Sequence, residues 1–315
     1  MRVLIAGGAG FIGSHLCDRF LADGYDVVAI DNFLSGSESN IKHLANNPHF
    51  TLIKHDITLP LPEIGIFDVV LHFASPASPN PKSPVSYMAH PIETLMVNSV
   101  GTKNLLDLAT MQKAQIIFAS TSEVYGDPQI HPQSEKYLGN VSCNGPRSCY
   151  DEAKRFLEAI AFAYHRQYQT KIKVIRIFNT YGSRMRLDDG RFVPNLINSY
   201  LNDIPFEVYG NGKTTRSFGY IDDLIDGVVR VVGCEEMIGQ VVNLGNPIEM
   251  TLAEAIKTFE KVIGKPLSKQ EHLVPPDDPS RRNPDITKAK SMLSWEPSVD
   301  FVNGITKTLG FYKKS

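Results

Sequence analysis

Tyr150 and Lys154 stand four residues apart in CYDEAKR, a spacing that stacks two side chains on one face of a helix. A phenol beside an ammonium is a candidate base. Upstream, Ser120-Thr121-Ser122-Glu123 closes an apolar run, and Thr121 there could hydrogen-bond a substrate hydroxyl while Tyr150 removes its proton. Near the N-terminus, GGAGFIG sets Gly7, Gly10 and Gly13 between a strand-like run and a helix-like one. A tight turn at that junction aims backbone N–H groups and a helix dipole at a pyrophosphate. Asp31 follows 18 residues after Gly13. A carboxylate there accepts hydrogen bonds from an adenosine ribose and repels a 2′-phosphate, which favours NAD over NADP. A phenol ionises near 10, and bringing it to about 7 takes roughly 4 kcal/mol, which Lys154 plus an oxidised nicotinamide could supply. Tyr209 and Lys213 repeat the spacing, but Gly210 and Gly212 between them argue against a helix, so that pair reads as a chance match.

These residues need a scaffold that brings them together. The first 180 residues alternate short apolar runs with long amphipathic stretches, the pattern of βα units around a parallel sheet. Strands are expected at Val3–Ala6, Val27–Ile30, Thr51–Lys54, Val69–Phe73, Ile116–Ala119 and Val174–Phe178, with helices after Phe11, Pro91 and Tyr150. Both Asp31 and the Ser120–Glu123 segment then fall at carboxyl ends of strands, where open α/β sheets bind ligands. The expected fold is α/β, a Rossmann-type doubly wound parallel sheet over residues 1–180, which carries the dinucleotide and the Tyr/Lys pair. A smaller C-terminal α/β substrate-binding lobe takes most of 181–315, with some segments returning to the first domain. Thr251 and Glu254 make a capping box that opens a helix to about Ile263, where Gly264 stops it.

Composition narrows the classes of function. The 315 residues, 42% hydrophobic and 21% charged, suffice for one large domain or two coupled ones. With 32 basic against 34 acidic residues the formal charge is −2, so no global field draws in nucleic acid or an anionic membrane. No apolar run approaches the roughly 18 residues of a membrane span, and no signal-peptide pattern is present, which makes the expected location cytoplasmic. The four cysteines lack CxxC spacing, and reduced thiols are expected. His43, His49 and His55 recur every six residues, not at the i, i+4 spacing of a helical zinc pair, so no metal is expected.

With these residues in place, the chain resembles the extended short-chain dehydrogenase/reductase family, in its branch of NAD-dependent nucleotide-sugar epimerases and dehydratases. The likeness runs through GGAGFIGSHL, FASPASP, ASTSEVYGDP, HPQSE, GPRSCYDEAKR, RIFNTYG, DDGR, YGNGKTTRSFGYIDDL, NLGNP and DDPSRRNPDITKAKSMLSWEP. STSEVYGDP, GPRSCYDEAKR and RRNPDI are similar to the members that convert UDP-glucuronic acid to UDP-xylose. The resemblance implies that Tyr150 deprotonates the sugar 4-OH during oxidation by bound NAD, with Thr121 aligning that hydroxyl and Lys154 holding the cofactor ribose. The C6 carboxylate, then β to a ketone, leaves as carbon dioxide, C5 is reprotonated and C4 is reduced again. Glu123 and Ser122 would lie near the carboxylate and C5. Phe11, Ile12, Asn32, Ser35, Gly36, Asp56, Ile57, Phe73 and Ala74 would complete the cofactor site. Asn179, Arg191, Arg216, Tyr220 and Arg282 would hold the UDP-sugar, Arg282 serving also in protonation. The family forms homodimers through helices near Pro91–Met111 and Tyr150–Gln169.

A 4-epimerase of UDP-glucuronate or a related sugar is the alternative; it requires the keto intermediate to turn over before reduction. A 4,6-dehydratase carries an aspartic acid where Ser122 stands, and serine is a poor general acid. A silent NAD-binding scaffold would lack Tyr150, Lys154 or Thr121, and all three are present. One departure from the family pattern is NPKSPVSYMAHPIET, several residues long in excess, in a loop that touches the sugar.

Overall fold

The computed structural model describes residues 1–209, 214–272 and 282–314; Lys213 of the chance Tyr/Lys pair lies outside them. Its centre is a seven-stranded sheet built from β1 (Arg2–Ala6), β2 (Asp26–Asp31), β3 (Phe50–Lys54), β4 (Val69–His72), β5 (Gln115–Thr121), β6 (Lys171–Ile177) and the strand Gln240–Leu244. The strand order is Gln240–Leu244, β6, β5, β4, β1, β2, β3, and every pair is parallel. Successive side chains of a strand point to opposite faces, so both faces must be apolar where helices cover both. Val3 and Ile5 accordingly join one core with Leu16 and Phe20. Leu4 and Ala6 join the other with Leu105 and Leu157.

Helix α1 (Phe11–Ala22) covers the first face; α3 (Thr102–Gln112) and α4 (Ser148–Tyr168) cover the second, with α2 (Pro91–Met96) packed against α4. A π-helical turn, Val97–Gly101, joins α2 to α3. Six of the seven strands match the expected runs to within a few residues. The seventh, Gln240–Leu244, belongs to sequence expected mainly in the second lobe, and it returns to the sheet edge with Gln240 opposite Lys173 and Leu244 opposite Ile177.

The remaining elements form small strand pairs and helices outside the sheet. Thr215–Ser217 pairs antiparallel with Glu249–Thr251, and Phe206–Tyr209 pairs parallel with Lys269–His272. The helix Leu252–Ile263 opens on the expected box, with Thr251 Oγ1 accepting from Glu254 N–H and the Glu254 carboxylate accepting from Thr251 N–H. It ends at Gly264 with φ +75°, a conformation that costs glycine little.

Candidate active site

The chain winds outward from β1 through β2 to β3, then crosses back to place β4 on the other side of β1. This reversal opens a crevice at the carboxyl ends of β1 and β4, the expected ligand position in such sheets. The three glycines line it, each for its own reason. Gly7 has φ +83°, and a Cβ there would lie 2.7 Å from Ala74 N; a Cβ on Gly13 would lie 2.0 Å from the Gly7 carbonyl oxygen. Gly7 thus makes the turn, and Gly13 lets α1 press against it. A Cβ on Gly10 would meet only the Gly7 oxygen, at 3.1 Å, and would otherwise project into the space a pyrophosphate needs. Gly10 caps α1 without a side-chain hydrogen bond, which leaves the first-turn N–H groups free for an anion. The cradle therefore fits a dinucleotide diphosphate.

Asp31 ends β2 and is buried; its Oδ2 accepts from Ala9 N–H (2.9 Å) and its Oδ1 from Phe33 N–H (2.8 Å). Burial raises its pKa and these two N–H groups pull it back. A carboxylate has about four lone-pair sites, so two remain for ribose hydroxyls. Phe11, Ile12, Asn32, Ser35, Asp56, Ile57, Phe73 and Ala74 all line the same crevice. Gly36 is not in the lining; it packs behind Asp31, where a Cβ would come within 2.9 Å of Oδ1. Asn32 donates to Asp56 (3.0 Å), and Thr58 donates to Asp56 through N–H and hydroxyl, which together fix one rim of the crevice.

Helix α4 carries two adjacent rows of buried side chains. Cys149, Ala153, Leu157 and Ala161 form an apolar row, and Tyr150, Lys154 and Glu158 form a polar one. The latter row faces the end of β5. Lys154 Nζ donates to the Ala119 carbonyl at 2.8 Å, and burial lowers its pKa to about 7. The Tyr150 phenol hydrogen-bonds to the Thr121 side chain, yet its pKa is raised, chiefly by burial and then by the Glu123 charge. Lys154 Nζ sits 5.8 Å from the Tyr150 ring centre, so burial and the Glu123 charge favour the protonated phenol in the protein alone.

Past Thr121 the chain turns through Ser122–Tyr125 as a 3₁₀ helix, with Thr121 Oγ1 capping it by accepting from Glu123 N–H. This turn delivers Ser122 and Glu123 to the cleft. Glu123 lies between two guanidiniums: Arg147 Nη2 donates to its Oε2 at 2.6 Å and Arg282 Nη1 to its Oε1 at 3.4 Å. Burial alone would raise its pKa, but these charges and a hydrogen bond from Asp151 hold it well below the usual carboxylate range. Asp151, buried beside the negative Glu123, is pushed well above that range, to about 8.

Asp151, Arg147 and Tyr87 were not singled out by sequence reasoning. Tyr87 comes from the long loop and is fully buried. Its ring stacks on Tyr150, and its hydroxyl donates to Glu123 Oε2 at 3.3 Å. The loop closes on itself where Tyr87 N–H donates to the Ser78 carbonyl at 3.1 Å. Ser78 Oγ also donates to the Asp189 carbonyl, and Asn80 fills the space beside Gly190. Arg191 next in line is held by the Asp189 carboxylate. Asn179, Arg191 and Arg282 line the same cleft as Tyr150 and Thr121. Arg216 and Tyr220 are not in its lining. Tyr220 packs edge-on against Tyr181 in the core, and Arg216 donates to the neighbouring Thr215 carbonyl from the strand Thr215–Ser217. Among the described residues no group of three or more His, Cys, Asp or Glu side chains is placed to hold a metal ion, and no helix is long and apolar enough to cross a membrane.

A glycine cradle, a buried carboxylate at the end of the second strand and a Tyr/Lys pair beside a strand-end threonine define a dinucleotide-dependent enzyme of the short-chain dehydrogenase/reductase type. The chain belongs to the GDP-mannose 4,6 dehydratase family, whose model matches residues 4–308. It is 44% identical over 313 residues to UDP-glucuronic acid decarboxylase 1 of Xenopus tropicalis, covering 99% of this chain and 72% of the relative. It is 45% identical over 306 residues to UDP-glucuronic acid decarboxylase 5 of Arabidopsis thaliana, covering 97% and 87%. Among solved structures it is similar to the UDP-glucuronic acid 4-epimerase of Bacillus cereus in complex with UDP-glucuronic acid and NAD, with a TM-score of 0.87, 31% identity, and 100% and 99% of the two chains covered.

Proposed function

We propose that this enzyme is an NAD-dependent decarboxylase that converts UDP-glucuronic acid to UDP-xylose. The observation that carries the reading is the Glu123–Arg282 ion pair, 3.4 Å across, lining the same cleft as Tyr150 and Thr121. An oxidation site and a charged site for a carboxylate thus adjoin. The similarity to decarboxylases over nearly the whole chain supports the same reaction.

Bound NAD supplies the oxidation of C4 and, at the end of the cycle, its reversal. When bound, its pyrophosphate would be held by Gly7, Gly10 and Gly13, its adenosine ribose by Asp31 and its nicotinamide ribose by Lys154. Thr121 fixes the sugar 4-OH by hydrogen bonding, and Tyr150 takes its proton. Once C4 is a ketone, the C5–C6 bond breaks and its electron pair delocalises onto the C4 oxygen as an enolate, with loss of carbon dioxide. Tyr150, now protonated, and Thr121 stabilise that oxyanion, where electrostatic stabilisation matters most. Arg282 and Glu123 orient the departing carboxylate and the proton that returns to C5. Asn179 and Arg191 hold the uridine diphosphate, guanidinium forks being suited to phosphate oxygens. Ser122 in place of a carboxylic acid disfavours expulsion of water.

The assembly that fits this reading is a homodimer paired through α2, α3 and α4, supported by the exposed Leu95 and Phe156 on two of those contacting helices. Four unpaired cysteines support a reducing, cytoplasmic setting. Incubation with UDP-glucuronic acid and catalytic NAD, followed by carbon dioxide capture and NMR of the sugar, tests the reaction. Stoichiometric carbon dioxide with UDP-xylose is expected. UDP-galacturonate without carbon dioxide would replace the decarboxylase by a 4-epimerase.

A further inference from the structure

The HPQSE segment has no part in the chemistry above, yet its Gln133 is fully buried and turns three of its four polar groups on the stretch after Arg282. Its backbone N–H donates to the Asn283 carbonyl at 2.9 Å, and its carbonyl accepts from Asp285 N–H at 2.9 Å. Its side-chain Oε1 accepts from Asn283 N–H at 2.8 Å, while Nε2 donates to the Ile130 carbonyl at 2.7 Å. The residue so gripped is the immediate neighbour of Arg282. Asn243 Nδ2 adds bonds to the Gln133 carbonyl (3.0 Å) and the Asp285 carbonyl (3.2 Å).

A buried network anchors this clamp to the other side of the cleft. Asn243 Oδ1 accepts from the Tyr125 hydroxyl (2.8 Å), which accepts from Arg176 Nη1 (3.0 Å). Arg176 forks onto Glu158, and Glu158 accepts from Ser120 Oγ at 2.5 Å. Ser120 directly precedes Thr121. The arginine end and the threonine end of the site are therefore tied through one hydrogen-bonded chain.

We propose that Gln133 is a positioning residue that sets Arg282 against Glu123, so that the guanidinium meets the sugar carboxylate in register with the Tyr150–Thr121 oxidation site. The inference rests on the reaction assigned above. An amide suits the position: Oε1 accepts from Asn283 N–H while Nε2 donates to the Ile130 carbonyl, and an ionised carboxylate cannot donate. Displacement of Arg282 leaves the oxidation half of the site intact and slows the carbon–carbon cleavage or reprotonation that follows.

The test compares Gln133→Ala and the isosteric Gln133→Glu with wild type, and with Thr251→Ala, which loses the cap of the helix Leu252–Ile263 and controls for simple destabilisation. The readouts are kcat and KM for UDP-glucuronic acid, NAD affinity, Tm, and the absorbance of reduced nicotinamide during turnover. Misplacement by about an ångström costs up to roughly 100-fold in rate. The expected result is a kcat fall of about 10- to 100-fold with a raised KM, unchanged NAD affinity, and reduced nicotinamide accumulating in the steady state because re-reduction of C4 waits. Should the alanine variant not fold, Gln133→Glu carries the test. Loss of activity that merely follows Tm, as in Thr251→Ala, with no accumulation of reduced nicotinamide, would overturn the positioning role. Wild-type enzyme that releases no carbon dioxide from UDP-glucuronic acid would instead overturn the reaction itself.

Discussion

The ring of Tyr87 lies flat against that of Tyr150, with centroids 4.7 Å apart and planes 8° from parallel. A residue of the long loop thus forms one wall around the candidate base, and its hydroxyl turns to Glu123. The stack fixes the tilt of the Tyr150 ring, and the hydroxyl ties that ring's neighbourhood to the charged cluster. The loop is then part of the site rather than a cover over it.

Tyr87→Phe keeps the stack and removes the bond to Glu123. A hydrogen bond to a charged group is worth about 1.5–3 kcal/mol, or roughly ten- to a hundredfold in kcat/KM if it acts in the transition state. Tyr87→Leu also removes the stack, worth about 0.5–1.5 kcal/mol, and should lower Tm further. Steady-state kinetics beside thermal melts separate the two contributions. Equal kcat/KM in wild type and Tyr87→Phe would show that the hydroxyl is spectator to the chemistry.

Tyr150→Phe should abolish turnover while NAD still binds, because the phenol oxygen and not the ring carries the proton. Binding measured by titration calorimetry, with product formation followed by NMR, checks both halves. Surviving turnover would remove Tyr150 from the role of base.

Asp31→Ala should weaken NAD binding by about 1.5–3 kcal/mol, the value of hydrogen bonds to a charged group. It also removes the charge that repels a 2′-phosphate, so discrimination against NADP should fall. Unchanged NAD affinity would mean that the ribose is held elsewhere.

Much of this was legible in the sequence because buried parallel strands read as continuous apolar runs, and because the glycine turn and the Tyr/Lys pair carry fixed spacings. Gln240–Leu244 was not, since its place beside β6 is set by a contact far along the chain. Tyr87 gave no signal: it sits in the segment that departs from the family pattern, and its partners Glu123 and Tyr150 are remote in sequence. Asp151 was visible but ambiguous, because an acid in the first turn of a helix ordinarily answers the helix dipole. Only the folded chain shows it buried against Glu123. The partner of Lys154 was not legible from spacing: four residues put it on the same face as Tyr150, and only the fold shows its Nζ donating to the Ala119 carbonyl.

The Asp151–Glu123 pair makes stability depend on pH in two opposite directions. Asp151 has its folded pKa raised by burial and by Glu123, so above the ordinary carboxylate range the folded state holds a proton that the unfolded state has lost. Stability must then fall as pH rises from about 4 until the folded carboxyl itself ionises. Glu123 is the reverse case. Its folded pKa is depressed, above all by Arg147 and Arg282 working against burial, so its contribution is present above the ordinary glutamate value of 4.5 and is lost as pH falls through the folded value. Asp151→Asn keeps an amide N–H to donate to Glu123 and removes the titration. Its stability relative to wild type should therefore rise steadily from about pH 5 to about pH 8, measured by urea unfolding at each pH. A difference that stays flat across that range would mean that Asp151 is ionised in the folded enzyme and that Glu123 faces an unshared negative charge.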